Sequence, residues 1–208
     1  GRELSELAAA LVKIGGGGNV TWIGDEGRML AFDTGPGNAL IDDWVLAHNG
    51  APHDTDGVLA AKGRVDETAL TELLTNAYFD AAPPKSLDRD AFSVDPVKAF
   101  TLEDGAATLT AFTAASIAKA RAHMPREPRI WVVCGGGRKN KTLMSMLASR
   151  VQNAVAPVEV LGFDGDAIEA QAWAYMAVRR LDELPITFPE TTGAPAPMTG
   201  GVIAAAGG

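Results

Sequence analysis

The run Trp131-Val132-Val133-Cys134 stops at three consecutive glycines, Gly135, Gly136 and Gly137, and a helix-like segment from Asn140 to Val151 follows at once. A short β-branched run bounded by glycine reads as a buried strand, and the helical spacing behind it makes the turn a strand-to-helix connection. Strands joined through helices run parallel and need helices on their faces, so this stretch points to an α/β domain. The glycines also raise a chemical question. Bare backbone at such a turn admits a phosphate or a flat ring, and a helix start adds N–H groups and a positive dipole end. The plain structural alternative is a tight turn that lets helix and strand pack.

Two more glycine stations precede this one. Gly15 to Gly18 separate a strand ending in Val12-Lys13-Ile14 from one rich in Val20, Thr21, Trp22 and Ile23, which is a hairpin signal. Asp33-Thr34-Gly35-Pro36-Gly37-Asn38 closes a third strand that begins near Arg28. Helices are then expected from Asn38 to Asn49, from Asp66 as N-cap to Tyr78, and from Gly105 to His123, where Pro125 stops the pattern. After the strand at Trp131 and the helix from Asn140, the spacing predicts a strand in Pro157-Val158-Glu159-Val160-Leu161-Gly162. A last helix begins at Asp166, with Asp166 as N-cap and Glu169 as its capping-box partner. A helical pattern is also expected at the start of the chain, ahead of the strand in ALVKI. Residues 185 to 208, rich in Pro, Gly and Ala, read as a tail with one ordered piece around Val202-Ile203. This order makes a mixed sheet fed by crossover helices, with all three glycine stations on one edge.

Composition excludes several classes. The 208 residues are 47% hydrophobic, enough for a core, and the net charge of -8 leaves no basic stripe for a nucleic acid. One cysteine, Cys134, permits no disulfide within the chain and behaves as a small apolar side chain. There is neither an apolar stretch near ~18 residues nor a charged-then-apolar leader, so no membrane span or signal peptide is read and a cytoplasmic location is expected. The abrupt opening suggests a piece of something longer. No GxGxxG follows the first strand and no GxxxxGK[ST] occurs, so the Rossmann and Walker signatures are missing. Lys139 and Lys141 could meet phosphate or simply remain solvated.

Taken together, IGGGGNVTWI, FDTGPGNALIDDW, DTDGVLAAKGRV, PPKSLDRDAF, VVCGGGRKN and GFDGDAIEAQAWAYMA resemble, in order and spacing, the carboxy-terminal part of the anhydro-N-acetylmuramic acid kinase family. The likeness runs from about Leu11 to Gly193. That family belongs to the sugar kinase, Hsp70 and actin superfamily, whose two ribonuclease H-like domains close over ATP. The resemblance implies a ribonuclease H-like (actin-like ATPase) domain with a mixed five-stranded sheet. It also implies that ATP and water convert 1,6-anhydro-N-acetylmuramic acid to N-acetylmuramic acid 6-phosphate in peptidoglycan recycling.

Carried over by position, Gly15 and Gly16 belong to a phosphate loop, and Gly135, Gly136, Gly137 and Asn140 to the adenosine side. Asp33, Thr34 and Gly35 would border the phosphate and sugar region, and Glu169 matches a family carboxylate expected to hold the amino sugar. Asp166 and Glu169 fit a capping box equally well, and Asp33 fits an Asx turn. Mg²⁺ would accompany ATP without leaving a ligand pattern in the chain, and the resemblance suggests a homodimer. Lys13 departs from the family's usual Asn, Gly17-Gly18 from a more apolar pair, and Leu87 to Asp90 from a Thr-Gly-Arg-Glu pattern. The family's first phosphate loop and catalytic aspartate have no counterpart in these residues. The expectation is therefore a carboxy-terminal lobe, inactive without its amino-terminal partner lobe. A non-catalytic module sensing nucleotide or amino sugar, or a kinase for another sugar, are the competing readings.

Overall fold

The computed structural model describes residues 8–88 and 91–204. Three strands come first: β1 (Ala9–Ile14), β2 (Gly18–Ile23) and β3 (Met29–Gly35), an antiparallel meander. Helices α1 (Ala39–Asn49), α2 (Val58–Lys62), α3 (Glu67–Leu73) and α4 (Leu102–Lys119) lead to β4 (Ile130–Cys134). Then follow α5 (Lys141–Val151), β5 (Ala154–Pro157), α6 (Ile168–Leu181) and α7 (Pro189–Thr192). The sheet order is β3-β2-β1-β4-β5, with β4 parallel to both β1 and β5. The α/β sheet mixed in direction is the one read from the residues, and its five strands are the number the family resemblance implies.

Alternation along the strands decides where the core lies. In β1, Ala10, Val12 and Ile14 are fully buried while their neighbours are not, so one face of the sheet is thickly covered. That face packs Val20, Trp131 and Val133 against α4 and against Leu143, Leu147 and Val151 of α5. The other face has a much smaller cluster of Val132, Cys134 and Val158, with Leu11, Ile130 and Ile168 beside it. Helix α4 is buried from Gly105 to Ile117 because its Ala, Thr and Gly side chains let it sit between the sheet and a second helical layer. That layer contributes Trp44 and Val45 from α1 and Leu70 from α3, packed with Phe79 and Phe112. Gly105 lies against the Trp44 ring, where any side chain would collide.

Several expected boundaries are corrected. The helix from Asp66 has that residue as its cap, Oδ1 accepting from Ala69 N–H at 2.8 Å, but it ends at Leu73. The Asn76 side chain then accepts from Tyr78 N–H and starts a separate 3₁₀ turn. The Ala-rich helix begins earlier than expected, at Leu102, because Thr101 Oγ1 caps Asp104 N–H, and Ala120–His123 continues it as a 3₁₀ turn. The last strand is Ala154–Pro157, and Val158–Leu161 is a 3₁₀ turn that tucks Val158 beneath the sheet. In the tail, Val202 is 94% exposed, and order instead comes from α7 and from a bridge between Thr187 and Met198. The helix expected ahead of the first strand falls mostly on residues 1–7, outside the described residues; Ala9 and Ala10 are already in β1. No helix among the described residues is long and apolar enough to cross a membrane.

Candidate functional site

Strands β1, β3 and β4 all run toward the same edge of the sheet, because β1 and β3 are both antiparallel to β2 and β4 is parallel to β1. The register pairs Ile14 with Gly18, Gly18 with Gly35, and Lys13 with Cys134. The three glycine stations therefore meet at the carboxyl ends of these strands, where open α/β sheets place their ligands.

The first station is a hairpin loop whose carbonyls are tied down. Gly15 O accepts from Asn38 N–H at 2.8 Å, Gly16 O from Ala39 N–H at 3.0 Å, and Gly17 O from Gly15 N–H at 3.0 Å. This close approach requires Gly37, which has φ +56°; a Cβ there would stand 2.6 Å from Gly15 O and 2.7 Å from Gly16 O. Around Gly16 and Gly17, by contrast, nothing lies within 4 Å of a Cβ position. Those two residues present bare backbone outward.

The second station is built from the strand upward. Gly135 has φ +77° and ψ 179°, a region open only to glycine, and a Cβ there would be 2.6 Å from Ile14 O. Gly137 also packs on Ile14, whereas the nearest atom to a Cβ on Gly136 is Asn38 Nδ2 at 3.9 Å. Asn140 Oδ1 accepts from Leu143 N–H at 2.9 Å and so caps α5. Behind the loop, the nearly buried Arg138 donates from Nε to Glu159 (2.8 Å) and from Nη1 to Gly135 O (3.0 Å), and Nη2 pairs with Asp166 (2.9 Å). Lys139 Nζ reaches Asp166 as well. Hydrogen bonds first from Lys139 and then from Arg138 hold the Asp166 carboxyl below its usual range, and the bond from Arg138 does the same for Glu159.

Two clefts open on this edge, one on each side of Pro36 to Asn38. The larger, about 400 Å³, lies between the Gly136–Asn140 turn and the segment His53 to Asp56, with Asn38, Ile41 and Asp42 also lining it. Segment 53–57 is stitched to α5 by Thr142 Oγ1 donating to Gly57 O at 2.7 Å. Asp54 is buried, its two carboxylate oxygens accepting from Leu59 and Ala60 N–H, so it fixes the start of α2. The smaller cleft, about 290 Å³, is lined by Lys13, Gly15 to Gly17, Asn19, Asp33, Gly35, Pro36, Leu87 and Asp88.

The predicted residues thus separate into two groups: Gly15, Gly16, Asp33 and Gly35 line one cleft, and Gly136, Gly137 and Asn140 the other. Asp33 Oδ2 accepts from Leu87 N–H at 2.8 Å, so its carboxylate ties the 85–88 segment to β3. Thr34 is buried, its Oγ1 lying beneath Gly18, and Gly35 packs on Ser116. Asp166 does not cap α6: the N-cap position is Ala167, without a side-chain bond, because the Asp166 carboxylate is engaged by Arg138 and Lys139. Glu169 likewise forms no capping box; it is ion-paired with Lys13. Burial pushes the Cys134 thiol up, which suits a packed side chain and not a nucleophile. Arg89 of the PPKS segment lies outside the described residues. Asp54 to Asp56 open the family-like segment DTDGVLAAKGRV, but nothing in it beyond the turn-forming Asp54-Thr55-Asp56-Gly57 gave them a place at the site.

A solved xylulose kinase from Rhodospirillum rubrum is similar at 16% identity and TM-score 0.47, covering 74% of this chain and 35% of that one. The anhydro-N-acetylmuramic acid kinase of Paramagnetospirillum magneticum is 55% identical over 94% of this chain and 56% of its own length. That of Rhodospirillum rubrum is 57% identical over 92% of this chain and 52% of its own. The chain thus spans about half the length of these relatives. The profile of the family described as anhydro-N-acetylmuramic acid kinase matches residues 3–206, and the chain belongs to that family.

Proposed function

We propose that this chain is the nucleotide-binding, carboxy-terminal lobe of a two-lobe sugar kinase. The complete enzyme uses ATP and water to convert 1,6-anhydro-N-acetylmuramic acid to N-acetylmuramic acid 6-phosphate. The observation that carries this reading is the open backbone of Gly16, Gly17 and Gly136, set on one sheet edge around two clefts while Gly18, Gly37, Gly135 and Gly137 are locked by packing. A nucleoside lies against Gly136 in the larger cleft. Its phosphates cross Asn38 toward Gly16 and Gly17, and the amino sugar borders Asp33 and Gly35, with Glu169 beyond.

Phosphoryl transfer is dominated by positioning and charge neutralisation, which this lobe supplies from one side only. The catalytic base and the first phosphate loop belong to the other lobe, so this chain alone binds nucleotide weakly and turns nothing over. Mg²⁺ would neutralise phosphate charge, carried by ATP oxygens and water. A cytoplasmic homodimer is part of the same proposal, the pairing being what the family resemblance suggests.

Two measurements test the reading. Calorimetry with a non-hydrolysable ATP analogue is expected to show binding by the chain and loss of at least about tenfold on Gly136→Val, a branched side chain entering open cleft space. Phosphate transfer from ATP to the anhydro sugar is expected from the two-lobe protein; its absence there removes the assignment.

A further inference from the structure

Lys13 stands at the carboxyl end of β1, on the face opposite Val12 and Ile14. Its stem runs along the first glycine loop, Cε lying 3.7 Å from a Cβ position on Gly15, and it lines the smaller cleft beside Gly15, Gly16 and Gly17. The other charged residues lining that cleft are Asp33 and Asp88. A phosphate entering this cleft therefore meets two carboxylates and one cation. Asp33 is already committed to Leu87 N–H. Lys13 itself is paired with Glu169 of α6, and both side chains keep substantial exposure, 40% and 62%. Such a pair is weak in water and exchangeable for a stronger anion. The turn before α6 is held to the second glycine loop by Asp166, through Arg138 and Lys139. Glu169 is thus presented to Lys13 from a fixed base.

We propose that Lys13 is a phosphate-contacting residue of the nucleotide site, held in place by Glu169 and taken over by the nucleotide's polyphosphate when it binds. This rests on the nucleotide reading above and adds a cation and a competitor to it. Glu169 acts as a built-in competing anion, so nucleotide affinity carries the cost of breaking the pair.

The test is calorimetry on the chain with the β,γ-imido analogue of ATP and, separately, with adenosine. Lys13→Gln is expected to weaken the analogue about tenfold and leave adenosine unchanged, the size of one charge-assisted hydrogen bond. Lys13→Arg should restore most of that affinity. Glu169→Gln should tighten the analogue about threefold, the worth of one exposed ion pair. The double variant should match Lys13→Gln. If the wild type binds both ligands and Lys13→Gln keeps their ratio, or weakens both equally, the proposal fails while the nucleotide reading stands. If the wild type binds neither, both fall.

Discussion

The two glycine loops stand side by side at the ends of parallel strands, yet they are built on opposite plans. The hairpin loop is held by its own backbone: Gly15 and Gly16 carbonyls are tied to the start of α1, and Gly37 makes the approach possible. The Gly135–Gly137 turn is held by side chains: Ile14 beneath it, Asn140 capping α5, and Arg138 bonded to Gly135 O, Glu159 and Asp166. What they share is a small island of open backbone. A run of glycines is thus not one signal, because packing and ligand access claim different members of the same run.

The largest expected break in this comparison is at Gly135. Gly135→Ala forces a side chain into a glycine-only backbone region and against Ile14 O, at a cost on the order of 3 kcal/mol. Gly16→Ala, facing empty space, should stay within about 0.5 kcal/mol of wild type when both variants are compared by urea melts. Equal losses at the two positions would erase the distinction.

A smaller effect is expected at the cap. Asn140→Ala removes the acceptor for Leu143 N–H and should lower stability by about 1 kcal/mol, while Asn140→Asp retains most of it. A change confined to nucleotide affinity would mean that Asn140 serves the ligand and not the helix.

The smallest effect concerns acid. Asp166 and Glu159 have carboxyls lowered by Lys139 and Arg138, so the support they give the second loop is complete above the ordinary carboxylate value of roughly 4 and is lost as pH falls through their lowered values. Hydrogen exchange on acidification should therefore loosen the second loop, read at Leu143 N–H behind it, before Asn38 and Ala39 N–H, because carboxylates brace the second loop and backbone carbonyls the first. Simultaneous loosening would show that the ion cluster adds no support of its own.

Much of this was legible in the residues. Apolar runs that stop at glycine marked the three meander strands and β4, and Asp66 announced its helix by a cap that needs only neighbours three residues away. The same local logic misread Asp166 and Glu169, whose spacing suits a capping box but whose carboxylates are claimed by cations from β1 and the second glycine loop. It also placed the last strand too late, because Val158 is apolar for burial beneath the sheet and not for pairing within it.

The chain by itself determined its strands, most of its helices and the turns where bare backbone had to lie, since these follow from periodicity and from what a Cβ permits over a few residues. Only the tertiary structure decided which glycines remain open, that segment 53–57 walls the larger cleft, and that Lys13 meets Glu169. Those outcomes depend on sheet register and helix packing, which bring together groups that no local pattern relates.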